Sequence, residues 1–163
     1  MTPLFRKLNL KEHQQIVVLN SPPEFDAALE ELSALTGVRV VRTVADAATI
    51  AFGVAFAITQ DELDRVSRDF TDRAEDNAVL WFCYPKKSSK RYACEFNRDS
   101  GWNVLASRGY EGVRQVAIDE DWSALRFRPV ADIRSFTRDE RTAISKEGKA
   151  RSETDRDDLP DLG

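Results

Sequence analysis

The sequence predicts a doubly wound α/β fold with a mostly parallel sheet, and three observations predict it. Apolar runs typical of strands alternate with segments of helical periodicity. One of these runs, 78–85, is apolar without alternation, which is typical of a strand buried on both faces of a helix-covered sheet. The same run stops at Pro85 and four cations follow at once, as expected where a strand end reaches solvent: Lys86, Lys87, Lys90 and Arg91.

The first half of the chain is predicted to supply three strands and two helices. Strands are expected at 15–20, 38–44 and 50–58. Ser21, Pro22 and Glu24 suit the N-cap, first and third positions of the first helix, which Gly37 ends. Its apolar stripe would be Phe25, Ala28, Leu29, Leu32 and Leu35. Thr59 and Glu62 predict a capping box for the second helix, whose inner face would be Leu63, Val66 and Phe70.

The second half changes its pattern after the cations. A short helix is expected within 98–109, with Trp102 and Leu105 on its inner face. Two strands, 112–119 and 123–130, are close enough to form an antiparallel hairpin at the sheet edge. Together these elements predict one three-layer, Rossmann-like domain covering 1–131.

The remaining residues are expected to behave differently from the domain. Thr137 and Glu140 predict a short helix that carries Ile144, within an extension at 132–147. It would rest on its own domain or contact a second subunit, so a homodimer is left open. From 148 to 163 the chain has almost nothing apolar to bury, and a disordered charged tail is expected.

Composition narrows the function classes. The formal net charge of −4 disfavours a nonspecific nucleic-acid binder, which normally carries a strong basic face. Cys83 and Cys94 are too few for a secreted disulfide framework. No leader pattern is visible and no apolar run approaches the roughly 20 residues that span a membrane. A cytoplasmic protein without membrane association is therefore expected.

The cations after Pro85 are the main candidate site. If their strand lies near the sheet centre, they reach the edge where open α/β sheets bind ligands. The hypothesis is an anion pocket in which Ser88 and Ser89 add donors, with Tyr84 or Tyr92 as a stacking surface. The alternative is a charged, solvated loop without a ligand. The candidate ligand-binding residues are Lys86, Lys87, Ser88, Lys90, Arg91, Tyr84, Trp122 and Arg126.

Other chemistry is weakly supported. The first strand-to-helix turn, 19–25, has no glycine and two prolines, which argues against dinucleotide binding there and, less firmly, against an S-adenosylmethionine pocket. Asp119, Glu120 and Asp121 could balance the lysines, but three consecutive residues do not suit one metal ion. His13 and Cys94 lack partners for catalysis. No catalytic residue, metal ligand or cofactor is predicted.

Three segments resemble a known bacterial family. They are Thr2-Pro-Leu-Phe-Arg-Lys-Leu8 with the following strand, Leu80-Trp-Phe-Cys-Tyr-Pro-Lys-Lys87, and Val116-Ala-Ile-Asp-Glu-Asp-Trp-Ser-Ala-Leu-Arg-Phe127. Over about residues 2 to 130 the chain is similar to domain of unknown function 3052. The resemblance implies a compact α/β domain in a bacterial, intracellular setting, and no reaction or cofactor.

The sequence as a whole favours a noncatalytic module that binds a small anionic ligand or a protein partner at its basic rim. A diverged methyltransferase-like enzyme, or another protein that binds S-adenosyl compounds or nucleotides, is the alternative. Contact with single-stranded nucleic acid through the lysines and tyrosines is a weaker third hypothesis.

Overall fold

A computed structural model of the chain describes residues 1–133 and contains a six-stranded mixed sheet between two layers of helices. The strands are β1 (Gln15–Leu19), β2 (Arg39–Val41), β3 (Ile50–Phe56), β4 (Ala74–Pro85), β5 (Tyr110–Ala117) and β6 (Trp122–Pro129). The helices are α1 (Pro3–Lys7), α2 (Pro23–Thr36), α3 (Gln60–Arg73) and α4 (Asn103–Ser107), with a 3-10 turn at Val44–Asp46. The helix expected after Thr137 and the tail from 148 lie outside the described residues.

The strand order is β2-β1-β3-β4-β6-β5. The first four strands in that order are parallel, while β6 is antiparallel to β4 and to the edge strand β5. This arrangement confirms the predicted doubly wound sheet with its antiparallel C-terminal hairpin. It also places β4 inside the sheet, so the segment after Pro85 emerges at the carboxyl edge of the parallel strands.

Each face of the sheet carries its own core. On one face Phe5 of α1 and Leu8, which ends that helix, join the buried side chains of α2 against Trp81, which is 0% exposed. On the other face Phe70 of α3 and Leu105 of α4 pack on the alternate residues of β4. Gly53 of β3 is needed there, because a Cβ at this position would lie 2.8 Å from the Phe70 ring.

Helix ends were predicted with mixed success. The capping box of α3 is confirmed: the Thr59 hydroxyl accepts from Glu62 N at 3.1 Å, and a Glu62 carboxylate oxygen accepts from Thr59 N at 2.9 Å. Gly37 ends α2 with a φ of 72°. The predicted start of α2 is wrong, because Pro22 is the N-cap and no side chain caps the helix.

Two further details differ from the sequence prediction. Leu35 belongs to no core stripe and is 60% exposed, since it lies in the last turn of α2, beyond the sheet-facing residues. The second strand is only Arg39–Val41, because the chain turns into the 3-10 helix at Val44. Among the described residues, no helix is both long and apolar enough to cross a membrane.

Candidate functional site

The loops that follow the parallel strands β1, β3 and β4 lie at the carboxyl edge of the sheet. In open α/β sheets, ligands bind at this edge, usually where the strand order changes direction. Here the direction changes between β1 and β3. The side chains at that point therefore decide whether the usual crevice is open.

Protein side chains join and cover the carboxyl ends of β1 and β3. Asn20, at the end of β1, donates its amide N–H to the Phe56 carbonyl oxygen at the end of β3, 3.2 Å away. The Trp122 ring packs edge-on against Phe56 with 5.0 Å between centroids, and Tyr92 packs on Trp122 at 4.9 Å. Aromatic rings therefore cover the carboxyl end of β3, next to the place where open α/β sheets usually bind their ligand.

Glu24, in the first turn of α2, binds this aromatic pair. Its Oε1 accepts hydrogen bonds from the Tyr92 hydroxyl at 3.0 Å and from the Trp122 indole N–H at 3.3 Å. Arg91 lies 3.5 Å from the same oxygen. Burial alone would raise the pKa of Glu24, but the hydrogen bonds from its own backbone N–H, Tyr92 and Trp122 outweigh it and the pKa is lowered. Glu24 is thus an ionised partner of the loop after β4, not a helix cap.

The loop after β4 is held against the β5–β6 turn. Lys86 N donates to the Asp121 carbonyl oxygen at 2.7 Å, and the Ser89 hydroxyl donates to the Asp121 carboxylate at 2.8 Å. Ser89 Oγ in turn accepts from the backbone N–H groups of Arg91 and Tyr92. The sequence indicated that the acidic turn and the basic loop could meet, and they do. The carboxylate of Asp121 contacts Ser89 and Arg91 (3.7 Å), however, and not the lysines.

A cavity of about 640 Å³ lies beside this loop, on the α3/α4 face of the sheet. Its volume is within the usual range for small-molecule sites. Tyr84 at the end of β4, Gln115 of β5 and Ser123 of β6 form one wall, and Lys86 and Lys87 lie at the loop side. Pro85, Ser89 and the segment 92–99 that follows the loop complete the lining.

The wall of the cavity offers hydroxyl donors. Gln115 Nε2 donates to the Tyr84 hydroxyl oxygen at 3.1 Å and to Ser123 Oγ at 3.2 Å. Burial raises the pKa of Tyr84 to about 12, so its hydroxyl keeps its proton at neutral pH. Since both hydroxyl oxygens act as acceptors from Gln115, the protons of both remain free to donate to a ligand.

Some charged side chains that line the cavity have a partner among residues 1–133 and others do not. Glu95 accepts from Gln60 N at 2.9 Å, and Arg98 lies 3.4 Å from Asp99. Lys86 and Lys87 form no ion pair with any residue of the described range 1–133. The two lysines are therefore the charges that remain available to an anion in the cavity.

The predicted site residues divide into three groups. Lys86, Lys87 and Tyr84 line the cavity, together with Ser89. Ser88 and Lys90 are exposed outside the lining, and Arg91 pairs with Glu24 and Asp121. Trp122 is 2% exposed in the core, with its N–H on the Glu24 carboxylate.

Arg126 is separated from the lysines. It lies opposite Trp81 in the β4–β6 register, four residues from the Pro85–Trp122 pair at the carboxyl edge. That is about 13 Å along the strand. The sequence suggested that its proximity to Trp122 mattered, but residues four apart on a strand are far from each other.

Gln115 and Ser123 were missed by the sequence prediction. Both belong to the hairpin, and only the β4–β6–β5 order brings them beside Tyr84. The nucleophile candidate Cys94 lines the cavity, but burial raises the pKa of its thiol, so the thiol is not activated. His13 precedes β1 at the opposite edge, where its Nδ1 accepts from Lys11 N. No group of three or more metal-ligating side chains is found among residues 1–133.

Comparison with known proteins identifies the class of fold. The chain superposes on the mitomycin 7-O-methyltransferase MmcR with a TM-score of 0.50 at 8% identity, covering 77% of this chain and 52% of that one. A SAM-dependent methyltransferase from Aquifex aeolicus gives 0.49 at 12%, covering 76% and 86%. A ribosomal protein methylase from Lactobacillus delbrueckii subsp. bulgaricus gives 0.47 at 13%, covering 77% and 76%. The fold is Rossmann-like, as in these methyltransferases.

Sequence comparisons add no closer relative. No family model matches the chain, and no curated protein matches it. The resemblance to domain of unknown function 3052 stays a prediction.

Proposed function

We propose that this protein is a noncatalytic binding module for a small anionic molecule, which it holds in the cavity beside Lys86 and Lys87. The observation that supports this most is the composition of the cavity: two lysines without ion pairs in the described range, next to the hydroxyl donors of Tyr84 and Ser123. All of these groups donate hydrogen bonds, so the ligand is expected to be rich in acceptors, as a phosphate ester or polycarboxylate is.

The alternative proposal is a protein that binds S-adenosyl compounds or nucleotides, or a diverged methyltransferase. Only the fold favours this alternative. Folds of this kind host many functions, so the fold does not by itself select this one. The Glu24–Tyr92–Trp122 cluster counts against it, because Glu24 holds the two rings over Phe56 at the carboxyl end of β3, next to the place where such a ligand usually binds. A carboxylate at the start of α2 would also repel a phosphate.

A thermal-shift panel on the full chain tests the two proposals against each other. The probes are inorganic phosphate, glucose 6-phosphate, citrate, adenosine diphosphate and S-adenosylhomocysteine. A probe at 100 times its dissociation constant stabilises the protein by about 2.7 kcal/mol. We expect a shift with one or more of inorganic phosphate, glucose 6-phosphate and citrate, and none with S-adenosylhomocysteine. A shift with adenosine diphosphate or S-adenosylhomocysteine and with no other probe would overturn the first proposal and support the second.

A further inference from the structure

Three arginines of the hairpin share one face of the sheet, here called the arginine face: Arg114, Arg126 and Arg128. In the β5–β6 register Arg126 lies directly opposite Arg114, and Arg128 is two residues further along β6. Opposed residues of an antiparallel pair, and residues two apart on a strand, project from the same face. This is the face of Trp81, the β4 partner of Arg126, and the cavity lies on the other face.

The three arginines engage no acceptor within the described range. None of the three side chains has a hydrogen bond or ion pair with a residue of 1–133, and the buried Arg126 Nε has no partner. Burial, then repulsion from Arg128 and Arg114, lowers the pKa of Arg126 to about 10. Glu111 lies opposite Arg128 in the register but forms no ion pair with it. An unpaired buried N–H donor costs free energy of folding. An anionic acceptor from outside residues 1–133 would therefore stabilise these arginines.

The sequence beyond the described residues contains acidic residues that could pair with the three arginines. Segment 153–163 carries five acidic residues and one arginine, whereas 134–152 carries six basic and three acidic residues. β6 ends at Pro129, next to Arg128. The twenty residues from Ile133 to position 153 can span as much as about 66 Å, so chain length does not prevent contact.

We propose that the acidic segment 153–163 docks on the arginine face of its own chain. Its carboxylates accept hydrogen bonds from Arg126 and its two neighbours, in the paired geometry that guanidinium and carboxylate groups favour. The face lies on the opposite side of the sheet from the cavity. The proposal is therefore independent of the proposed function.

Nuclear magnetic resonance of the arginine side chains in the full chain tests the docking. The test variant carries E153Q, D155N, D157N, D158N and D161N, and the control carries D139N, E140Q and E147Q. Arg126→Lys assigns the Arg126 Nε–Hε signal. We expect the test variant to shift this signal and to speed its hydrogen exchange about tenfold, because charge-assisted hydrogen bonds are lost. The control variant should leave both properties as they are in the unaltered chain.

Three results would overturn the proposal. The first is an Arg126 signal that is the same in the unaltered chain and in the test variant. The second is an equal change in the test and control variants, which would indicate general charge effects. The third is a signal that moves only when inorganic phosphate is added, which would mean that the face takes a free anion and not the segment.

Discussion

Glu24 shows how one residue changes the chemistry of the carboxyl edge. The sequence placed it at the third position of the first long helix, with Ser21 as the N-cap three residues before it. In the structure the Ser21 hydroxyl instead donates to the Asp26 carboxylate at 2.6 Å, and Glu24 is left to bind Tyr92 and Trp122. Sequence spacing identifies a cap, but it gives no information on aromatic partners 68 and 98 residues away.

The lowered pKa of Glu24 makes a pH-dependent prediction. A carboxyl group with a lowered pKa in the folded state stabilises the protein above its unfolded pKa, near 4.5, and this contribution is lost as the pH falls through the folded value. Glu24→Gln should therefore destabilise the protein by about 1 kcal/mol at pH 7, since the carboxylate is partly exposed. The difference should shrink as the pH falls below about 4.5, measured by urea unfolding at several pH values.

Glu30→Gln is the matched control, because Glu30 is exposed on the same helix. It should cost far less than Glu24→Gln at pH 7. A destabilisation by Glu24→Gln that stays constant from pH 3 to pH 7 would contradict the role assigned to the charge.

At the scale of the element, β4 was the most predictable part of the chain. Its unalternating apolar run can be buried only between two helical layers, so the interior position followed from composition. Its observed length, Ala74–Pro85, extends four residues beyond the predicted start, because 74–77 still pair partly with β3. The hairpin and its edge position were also predicted from the short connection between its strands.

Trp81 is the residue on which the stability of β4 depends most. It is 0% exposed, and its indole N–H donates to the Leu8 carbonyl oxygen at 2.8 Å, which ties α1 to the sheet. Trp81→Ala should lower the free energy of unfolding by about 3 to 5 kcal/mol, by urea denaturation. Leu35→Ala, at an exposed position, should change it by less than about 0.5 kcal/mol. Equal effects of the two substitutions would show that β4 is not in the core.

At the scale of the whole molecule, the sequence predicted the fold, but it predicted only some of the residues that line the candidate cavity. Strands and helices alternate visibly in the sequence, so the doubly wound sheet followed from local patterns. The lysines of the cavity were also found, because their strand end was recognised. Gln115 and Ser123 were not found, since they reach Tyr84 only through the pairing of β4 with β6 and of β6 with β5.

The sequence also assigned to the site some residues that do not line the cavity, because it does not give strand pairing or loop conformation. Nearness in sequence grouped Ser88, Lys90 and Arg91 with the cavity lysines, yet the turn fixed by Ser89 separates them from the lining. Arg126 was included because it is near Trp122 in sequence, but its strand carries it to the arginine face.

A nuclear magnetic resonance titration with glucose 6-phosphate tests whether the cavity binds an anion through Lys86 and Lys87. We expect saturable shifts of the backbone signals of 84–87, 115 and 123. Binding should weaken at least about tenfold in the fully folded double variant Lys86→Glu with Lys87→Glu, and by much less in Lys90→Glu from the same loop. Equal weakening by Lys90→Glu, or shifts centred on the turn between β1 and α2, would contradict the claim.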